Sequence, residues 1–342
     1  VAPPPVADPA ISVTVAQGEL VGFADADTGA HVWRSVPFAA PPVGDLRWRA
    51  PREPASWDGA REAVEAPPRC VQFVSALSDG DAAGTLSGQE DCLYMDIYAP
   101  TGGDAREDLP VMLWIHGGSN TWGWADQYDA SELASRHNVI VAVMQYRMGP
   151  LGWFAHSSLR DAAENADDAA ANFGTLDQVA ALEWLQANAA SFGGDASRVT
   201  IFGESAGGHN VVALLASPRA SGLFHRAIIQ SGSFRSVSLE EAETRDGDSA
   251  RVIAERLTGE AGASAEALRA VSPAALYGAY DTQVDFDPPR IIQDGVVLPS
   301  GPMEEVFASA DTFNAVPIIT GTNRDETKLF NLLDDRLVKQ AW

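Results

Sequence analysis

The stretch from Ile201 to Asn210 reads IFGESAGGHN and contains a Gly-x-Ser-x-Gly segment centred on Ser205. A serine in this spacing can act as a nucleophile in acyl transfer when it lies on a sharp turn between a strand and a helix. The chain holds 30 glycines, so the segment alone is a weak signal. Its neighbours favour such a turn, because VTIF before it is typical of a strand and AGGHNVVALLAS after it is typical of a helix. We predict Ser205 as a nucleophile, with a buried turn serine as the plain alternative.

A second loop contains the residue types that stabilise a negatively charged oxygen. His116-Gly117-Gly118-Ser119 follows the apolar run VMLWI. Glycines let the main chain approach a ligand closely, and backbone N–H groups are well suited to hold the oxyanion of a tetrahedral intermediate. The sequence predicts the N–H groups of Gly118, Ser119 and Ala206 as an oxyanion hole. The alternative is an ordinary glycine-rich turn.

Both loops follow apolar runs that alternate with helix-length segments. The runs lie at 111–118, 139–146, 199–205, 227–232 and 316–322, and residues 175–192 show helical spacing. This alternation predicts a doubly wound α/β fold around a mostly parallel sheet. The first hundred residues favour an antiparallel lead-in. Because ligand sites gather beyond the carboxyl ends of parallel strands, the two loops are expected to face one crevice.

The charge balance excludes some partners. Asp and Glu number 47 against 23 Lys and Arg, and the net charge of −24 repels nucleic acid and anionic membrane surfaces. No stretch approaches the ~18 consecutive apolar residues of a membrane span. The chain begins VAPPPVADPA without Met, which favours an exported, secreted or periplasmic protein whose signal peptide has been removed.

The two cysteines, Cys70 and Cys92, are too few for a zinc site and too far apart for a CxxC motif. They form either a disulfide or two free thiols. A disulfide would stabilise the fold by roughly 3 kcal/mol and would persist outside the reducing cytosol.

Longer motifs resemble the type B carboxylesterase family, which also contains the cholinesterases. The resemblance runs from about residue 17 to residue 334. The motifs are VPFAAPPVGDLRWRAP, QEDCLYMDIYAP, LPVMLWIHGGSN, YRMGPLGWF, NFGTLDQVAALEWLQANAASFGGDASRVTIFGESAGG, LFHRAIIQSGS and GTNRDET. Motifs this long and in this order are highly specific.

The resemblance implies the α/β-hydrolase fold, with helices on both faces of a mostly parallel sheet. It implies Ser205 as the nucleophile, Glu326 as the acid, and a disulfide between Cys70 and Cys92. The oxyanion hole would be formed by Gly118, Ser119 and Ala206. The serine-hydrolase reaction that it implies requires no metal and no organic cofactor.

Some positions depart from the family pattern. Ser119 stands where glycine is common, and Thr327 replaces the usual glycine after the acid. The segment DAAGTLSGQEDC lacks the tryptophan that stacks on choline in cholinesterases, so choline esters are not the expected substrates. Trp122 and Trp124 are candidates to line an aromatic gorge, and simple packing is the alternative.

A serine hydroxyl needs a base, and histidine suits that task at neutral pH. The chain order in this fold is Ser, then Asp or Glu, then His, yet none of the six histidines follows Glu326. We expect His209 to point into the packing and His116 to brace the oxyanion loop. Residues 1–342 are therefore expected to be the N-terminal part of one catalytic domain. A separate C-terminal fragment of the same protein would bring the histidine and cover the sheet edge, which is otherwise incomplete.

The sequence thus predicts a serine esterase that hydrolyses small carboxylic esters through an acyl-enzyme intermediate. One alternative is a non-catalytic binding or adhesion-type protein on the same fold. Another is an amidase or lactonase that uses the same machinery.

Overall fold

The computed structural model describes residues 5–75, 84–101, 108–245, 249–280, 290–326 and 328. Thr327, the residue after the predicted acid, lies outside these ranges. Residues 329–342, up to Trp342, also lie outside them.

The strands, in chain order through the described ranges, are β1 Ser12–Val15, β2 Gly18–Val21, β3 Phe23–Ala24, β4 His31–Pro37, β5 Ala60–Glu62, β6 Gln72–Phe73, β7 Leu86–Ser87, β8 Tyr94–Ala99, β9 Leu109–Ile115, β10 Ile140–Met144, β11 Gly194–Glu204, β12 Arg226–Gln230, β13 Ser236–Ser238, β14 Ile291–Gln293 and β15 Ile318–Gly321. The α-helices of the same ranges are α1 Ser131–His137, α2 Gly149–Gly152, α3 Ser157–Asp161, α4 Phe173–Asn188, α5 Ala206–Ala216, α6 Leu239–Thr244, α7 Ala250–Thr258, α8 Ala265–Arg269, α9 Pro273–Ala279 and α10 Met303–Val306. Short 3-10 helices span Gly44–Leu46, Ala125–Gln127, Ala189–Phe192 and Pro218–Ala220.

The central sheet has the strand order β15-β12-β11-β9-β10-β8-β4-β3. Strands β15, β12, β11, β9 and β10 run parallel to one another. Strands β8, β4 and β3 pair antiparallel at the other end of the sheet. The predicted mostly parallel sheet with an antiparallel lead-in is confirmed. The carboxyl ends of β9, β11, β12 and β15 consequently lie along one edge.

Helices cover both faces of this sheet, as the sequence predicts. All five residues of β10 are buried, which is typical of a central parallel strand. Successive side chains of a strand point to opposite faces, so Ile140 belongs to the core cluster that includes residues of α4 and α5, whereas Val141 belongs to the cluster that includes Ala134 of α1. Within the described ranges, no helix has the length and apolar character that a membrane crossing requires.

Strand β15 forms the outer edge of the sheet within the described part of the chain. It pairs with β12 on one side, and all four of its residues are exposed. Ile318 and Ile319 are 41% and 67% exposed. Two exposed isoleucines on an edge strand present an apolar surface, and among the described residues no strand pairs with the outer main-chain groups of β15.

Candidate active site

Ser205 lies between the end of β11 and the start of α5. Its backbone has φ 55° and ψ −119°, a conformation that residues with a side chain adopt only when the surrounding structure imposes it. The Ser205 N–H donates to the carbonyl oxygen of Gln230, the last residue of β12, at 2.9 Å. The side chain is half-buried and does not cap the helix. The turn therefore has the strained geometry that presents a serine hydroxyl at the strand end.

Glycines allow this turn to press against the neighbouring strands. A Cβ on Gly207 would overlap the carbonyl oxygen of Ile115 at the end of β9. A Cβ on Gly203 would lie 2.6 Å from the carbonyl carbon of Gly207, and one on Gly208 would lie 2.8 Å from the oxygen of Gln230. Helix α5 can thus begin directly against β9 and β12 only because these positions lack side chains.

The loop after β9 lies beside the serine turn. Gly203 of β11 is in register with Ile115 of β9, so the residues that follow each strand are neighbours. A Cβ on Gly117 would lie 3.4 Å from Ser205 Cβ and 2.8 Å from the carbonyl oxygen of Glu204. The structure therefore brings the two sequence-predicted loops together.

The hydrogen bonds of this loop orient its peptide groups. The Gly118 carbonyl oxygen accepts from Thr121 N at 2.9 Å and from Trp122 N at 3.0 Å. Because a trans peptide points its N–H opposite to its carbonyl, the Ser119 N–H points away from the loop interior. Among the described residues, the N–H groups of Gly118 and Ser119 donate to no acceptor. Ala206 begins α5, where N–H groups lack intrahelical partners.

His116 is buried beneath the loop. Its ring stacks on Tyr146 with centroids 4.4 Å apart, and the Tyr146 hydroxyl donates to the His116 carbonyl oxygen at 2.7 Å. Its Nδ1 lies 2.9 Å from the carbonyl oxygen of Gly117. Burial lowers the pKa of His116 to about 4, so the ring is neutral at neutral pH. These contacts support the loop, as expected, and leave the imidazole enclosed.

His209 lies one turn into α5 and contacts the chain after β12. Ser233 N donates to His209 Nδ1 at 2.7 Å, and the Ser233 carbonyl oxygen lies 2.8 Å from the same nitrogen. Burial lowers the pKa of this ring. Its Nδ1 is thus occupied by the main chain.

Glu326 lies just beyond β15, at the same sheet edge as Ser205. Its Oε1 accepts hydrogen bonds from the Ser231 hydroxyl and, at 2.7 Å, from Asn323 N. These two donors, Ser231 first, lower the pKa of Glu326 and favour its charged form. Burial and then the charge of Glu326 raise the pKa of Glu204, the residue before Ser205. Glu326 is therefore an ionised group near the serine turn.

Ser231 is a site residue that sequence reasoning did not assign. It follows β12 directly, has φ 52°, and its N–H donates to Gly321 O at 2.8 Å. Its position after a parallel strand, on the same edge as Ser205, is the signal that would have pointed to it.

The predicted disulfide and the two candidate tryptophans lie near the loop that follows β9. Cys70 and Cys92 form a disulfide with their Cα atoms 5.0 Å apart, which confirms the pairing. Trp122 is half-buried, and a Cβ on Gly118 would overlap its carbonyl oxygen. Trp124 is only 9% exposed, and the Arg69 guanidinium lies 3.4 Å from its ring centroid. Trp124 is therefore largely covered by protein, and the gorge role of both rings stays a prediction.

Comparisons with known proteins agree with this architecture. A sequence model of the Carboxylesterase family matches residues 9–340. A "Cocaine esterase" of Oryctolagus cuniculus is 41% identical over 325 residues, a match that covers 91% of this chain and 57% of the relative. A "Para-nitrobenzyl esterase" of Bacillus subtilis (strain 168) is 36% identical over 327 residues, covering 93% of this chain and 63% of the relative.

The solved structure of the carboxylesterase EST55 of Geobacillus stearothermophilus superposes with a TM-score of 0.78 at 35% identity, covering 95% of this chain and 64% of that chain. The predicted α/β-hydrolase fold is confirmed. The chain spans little more than half the length of the first curated relatives it matches. By sequence over nearly its whole length, and by fold, the chain belongs to the carboxylesterase family.

Proposed function

We propose that this chain carries the nucleophile, the oxyanion hole and the acid of a serine esterase. The observation that carries the proposal is the strained Ser205 turn beside a loop whose Gly118 and Ser119 N–H groups donate to no acceptor in the described ranges. Nucleophile and oxyanion donors at adjacent strand ends are the arrangement that acyl transfer requires.

In the proposed reaction, the Ser205 Oγ attacks the carbonyl carbon of a carboxylic ester as a histidine base takes its proton. The carbonyl oxygen becomes negatively charged and accepts hydrogen bonds from the N–H groups of Gly118, Ser119 and Ala206. The C–O bond to the alcohol then breaks, and the histidine returns the proton to the leaving alcohol. Water hydrolyses the acyl-serine by the same steps and releases the acid. Glu326 orients the histidine and stabilises its charged form.

The catalytic histidine is proposed to belong to the C-terminal part of the same protein, with residues 1–342 forming the N-terminal part of one catalytic domain. The exposed isoleucines of β15 support this, because a further strand or helix seated there would cover them. The enclosed His116 and the bonded Nδ1 of His209 also favour an outside base. Intact mass under denaturing conditions, compared with native mass, tests for the second segment. A native mass of 36.2 kDa with full esterase activity contradicts it.

We also propose a secreted or periplasmic location. The Cys70–Cys92 disulfide supports it, because such bonds persist mainly in oxidising compartments. Fractionation of the native source, followed by mass spectrometry of an unreduced digest, tests the location. Free thiols in a cytosolic fraction contradict it.

The central experiment is labelling with a fluorophosphonate probe, which reacts with activated serines. Ser205 is expected to be the modified residue, and Ser205→Ala is expected to abolish both labelling and ester hydrolysis. Ser197→Ala, a change at an exposed serine of β11, serves as the control and keeps both. Labelling that survives Ser205→Ala overturns the assignment.

The proposed substrates are esters of neutral alcohols with short or medium acyl chains. A relative named for para-nitrobenzyl esters, whose alcohol is uncharged, supports an esterase of this kind. We expect p-nitrophenyl butyrate to exceed butyrylcholine in kcat/KM. A preference for choline esters contradicts this substrate class. Faster cleavage of amides or lactones than of esters would instead identify an amidase or a lactonase.

A further inference from the structure

The segment that carries the disulfide is bonded to the oxyanion loop through one buried side chain, Gln72. Its Nε2 donates to Gly123 O at 3.0 Å, and its Oε1 accepts from Gly123 N at 2.9 Å. The side-chain amide thus pairs with both main-chain groups of one residue, as a neighbouring strand would. Gln72 is 1% exposed, so water cannot replace these bonds.

Gly123 in turn lies against the start of the oxyanion loop. Its φ of 124° is a glycine conformation, and a Cβ there would lie 2.5 Å from His116 Nδ1 and 2.9 Å from Gly117 O. The residue before it, Trp122, donates to Gly118 O. A displacement of Gly123 would therefore move both ends of the loop that carries the Gly118 and Ser119 N–H groups.

The segment that carries Gln72 is itself held in place. Gln72 Nε2 also donates to Cys70 O at 3.0 Å, and Cys70 is bonded to Cys92. The Tyr277 hydroxyl donates to Val71 O at 2.6 Å. The segment from Cys70 to Gln72 is held by a covalent bond and by hydrogen bonds, so it can act as a rigid support.

From these contacts we infer that Gln72 is a positioning residue that fixes the oxyanion loop against the disulfide-anchored segment. The inference rests on the proposed function, in which that loop stabilises the oxyanion. Gln72 acts through Gly123 and does not touch the reacting atoms. Its loss shifts the two N–H donors relative to Ser205, and such misplacements cost about 10- to 100-fold in rate.

The test replaces Gln72 in the intact protein with methionine, which has similar volume and no amide. Gln186→Met is the matched control, because Gln186 Nε2 also bonds two main-chain carbonyls, Ala196 O and Leu223 O, both at 2.9 Å. Ala196 lies near the start of β11, and Ser205 follows its end. Both variants are expected to lose stability, and Gln72→Met alone is expected to lose kcat, by about 10- to 100-fold with KM little changed.

Affinity for a trifluoromethyl ketone, which forms an oxyanion on the serine, should fall in Gln72→Met in proportion to kcat/KM. Hydrogen exchange of the amides in residues 116–123 should also be faster in Gln72→Met than in Gln186→Met. Equal kcat losses in the two variants, or unchanged exchange in Gln72→Met, overturn the inference. If the wild-type protein hydrolyses no ester, the proposed function is contradicted. The hydrogen-exchange rates of residues 116–123 still decide whether Gln72 fixes the loop.

Discussion

At the scale of single residues, Asp96 of β8 is a buried carboxyl group with one unpartnered oxygen. Its Oδ1 accepts from Ser35 N at 3.0 Å, and its Oδ2 has no hydrogen-bond partner in the described ranges. Burial raises the pKa of Asp96 to about 7; the Arg34 charge opposes this shift and the Asp126 charge adds to it. Asp96 is thus protonated in the folded protein over a range where the unfolded chain is ionised.

Asp96→Asn is expected to remove a pH dependence of stability. The native pKa exceeds the unfolded value of about 3.9, so the native state binds the extra proton between about pH 4 and pH 7. The free energy of unfolding therefore falls as pH rises through that window. At about pH 8 the free energy of unfolding of the variant should exceed that of the wild type by on the order of 2 kcal/mol. Urea denaturation at several pH values measures this, and identical pH slopes for the two proteins contradict it.

A second prediction at this scale concerns Ser231, which donates to Glu326. Ser231→Ala removes the first of the donors that lower the pKa of Glu326, so that pKa should rise. If Glu326 must be ionised for catalysis, the acid limb of the kcat profile moves to higher pH, and kcat falls about tenfold. Ser233→Ala, two residues away and bonded to no carboxylate in the described ranges, should leave the limb in place. An unshifted limb in Ser231→Ala argues against Glu326 as the acid.

At the scale of elements, the start of α5 depends on glycine where it meets β9. Gly207→Ala places a Cβ over the carbonyl oxygen of Ile115 and 2.9 Å from that of His116. Neither main-chain group can swing away, so the free energy of unfolding should fall by about 3 kcal/mol. Gly278→Ala in α9 is the control, because a Cβ there meets nothing within 4 Å and should stabilise the helix by about 0.5–1 kcal/mol. Thermal denaturation compares them, and equal effects contradict the packing argument.

Elements of this kind are predictable from sequence because their signals are local. The apolar runs before Ser205 and His116, and the glycines after them, lie within a few residues of the turns they specify. The pair of Ser231 and Glu326 is 95 residues apart, and Gln72 and Gly123 are 51 apart. No periodicity reports such contacts, because they arise only when strand ends meet.

The burial of Trp124 is a second feature that the local sequence does not report. Its place just after the loop that follows β9 makes it a candidate gorge-lining ring, with simple packing as the alternative. In the structure Trp124 is only 9% exposed, and the guanidinium of Arg69, the residue before Cys70, lies over its ring. Burial of an aromatic side chain depends on which distant segment packs over it, so neighbouring residues alone do not determine whether it meets solvent.

At the scale of the whole molecule, the net charge of −24 opposes compaction. Like charges on a folded surface repel each other, and salt screens that repulsion. We expect the melting temperature to rise by a few degrees between about 10 mM and about 200 mM NaCl at neutral pH, and less at about pH 5, where carboxylates begin to protonate. Calorimetry at the two pH values measures this. A melting temperature that falls with salt would mean that attractive ion pairs outweigh the repulsion.

The register of β9 with β11 also has a consequence for the order of events during folding. Ile115 and Gly203 are direct neighbours in the sheet, yet β10 and α4 lie between them in the chain. Contacts between residues so distant in sequence form slowly, because a long loop must close before they are gained. The loop after β9 is synthesised well before its partner, so chains arrested before β11 emerges contain this loop but not Ser205, which follows β11. Catalytic competence should therefore appear in a single late step, with no partially active species accumulating before it.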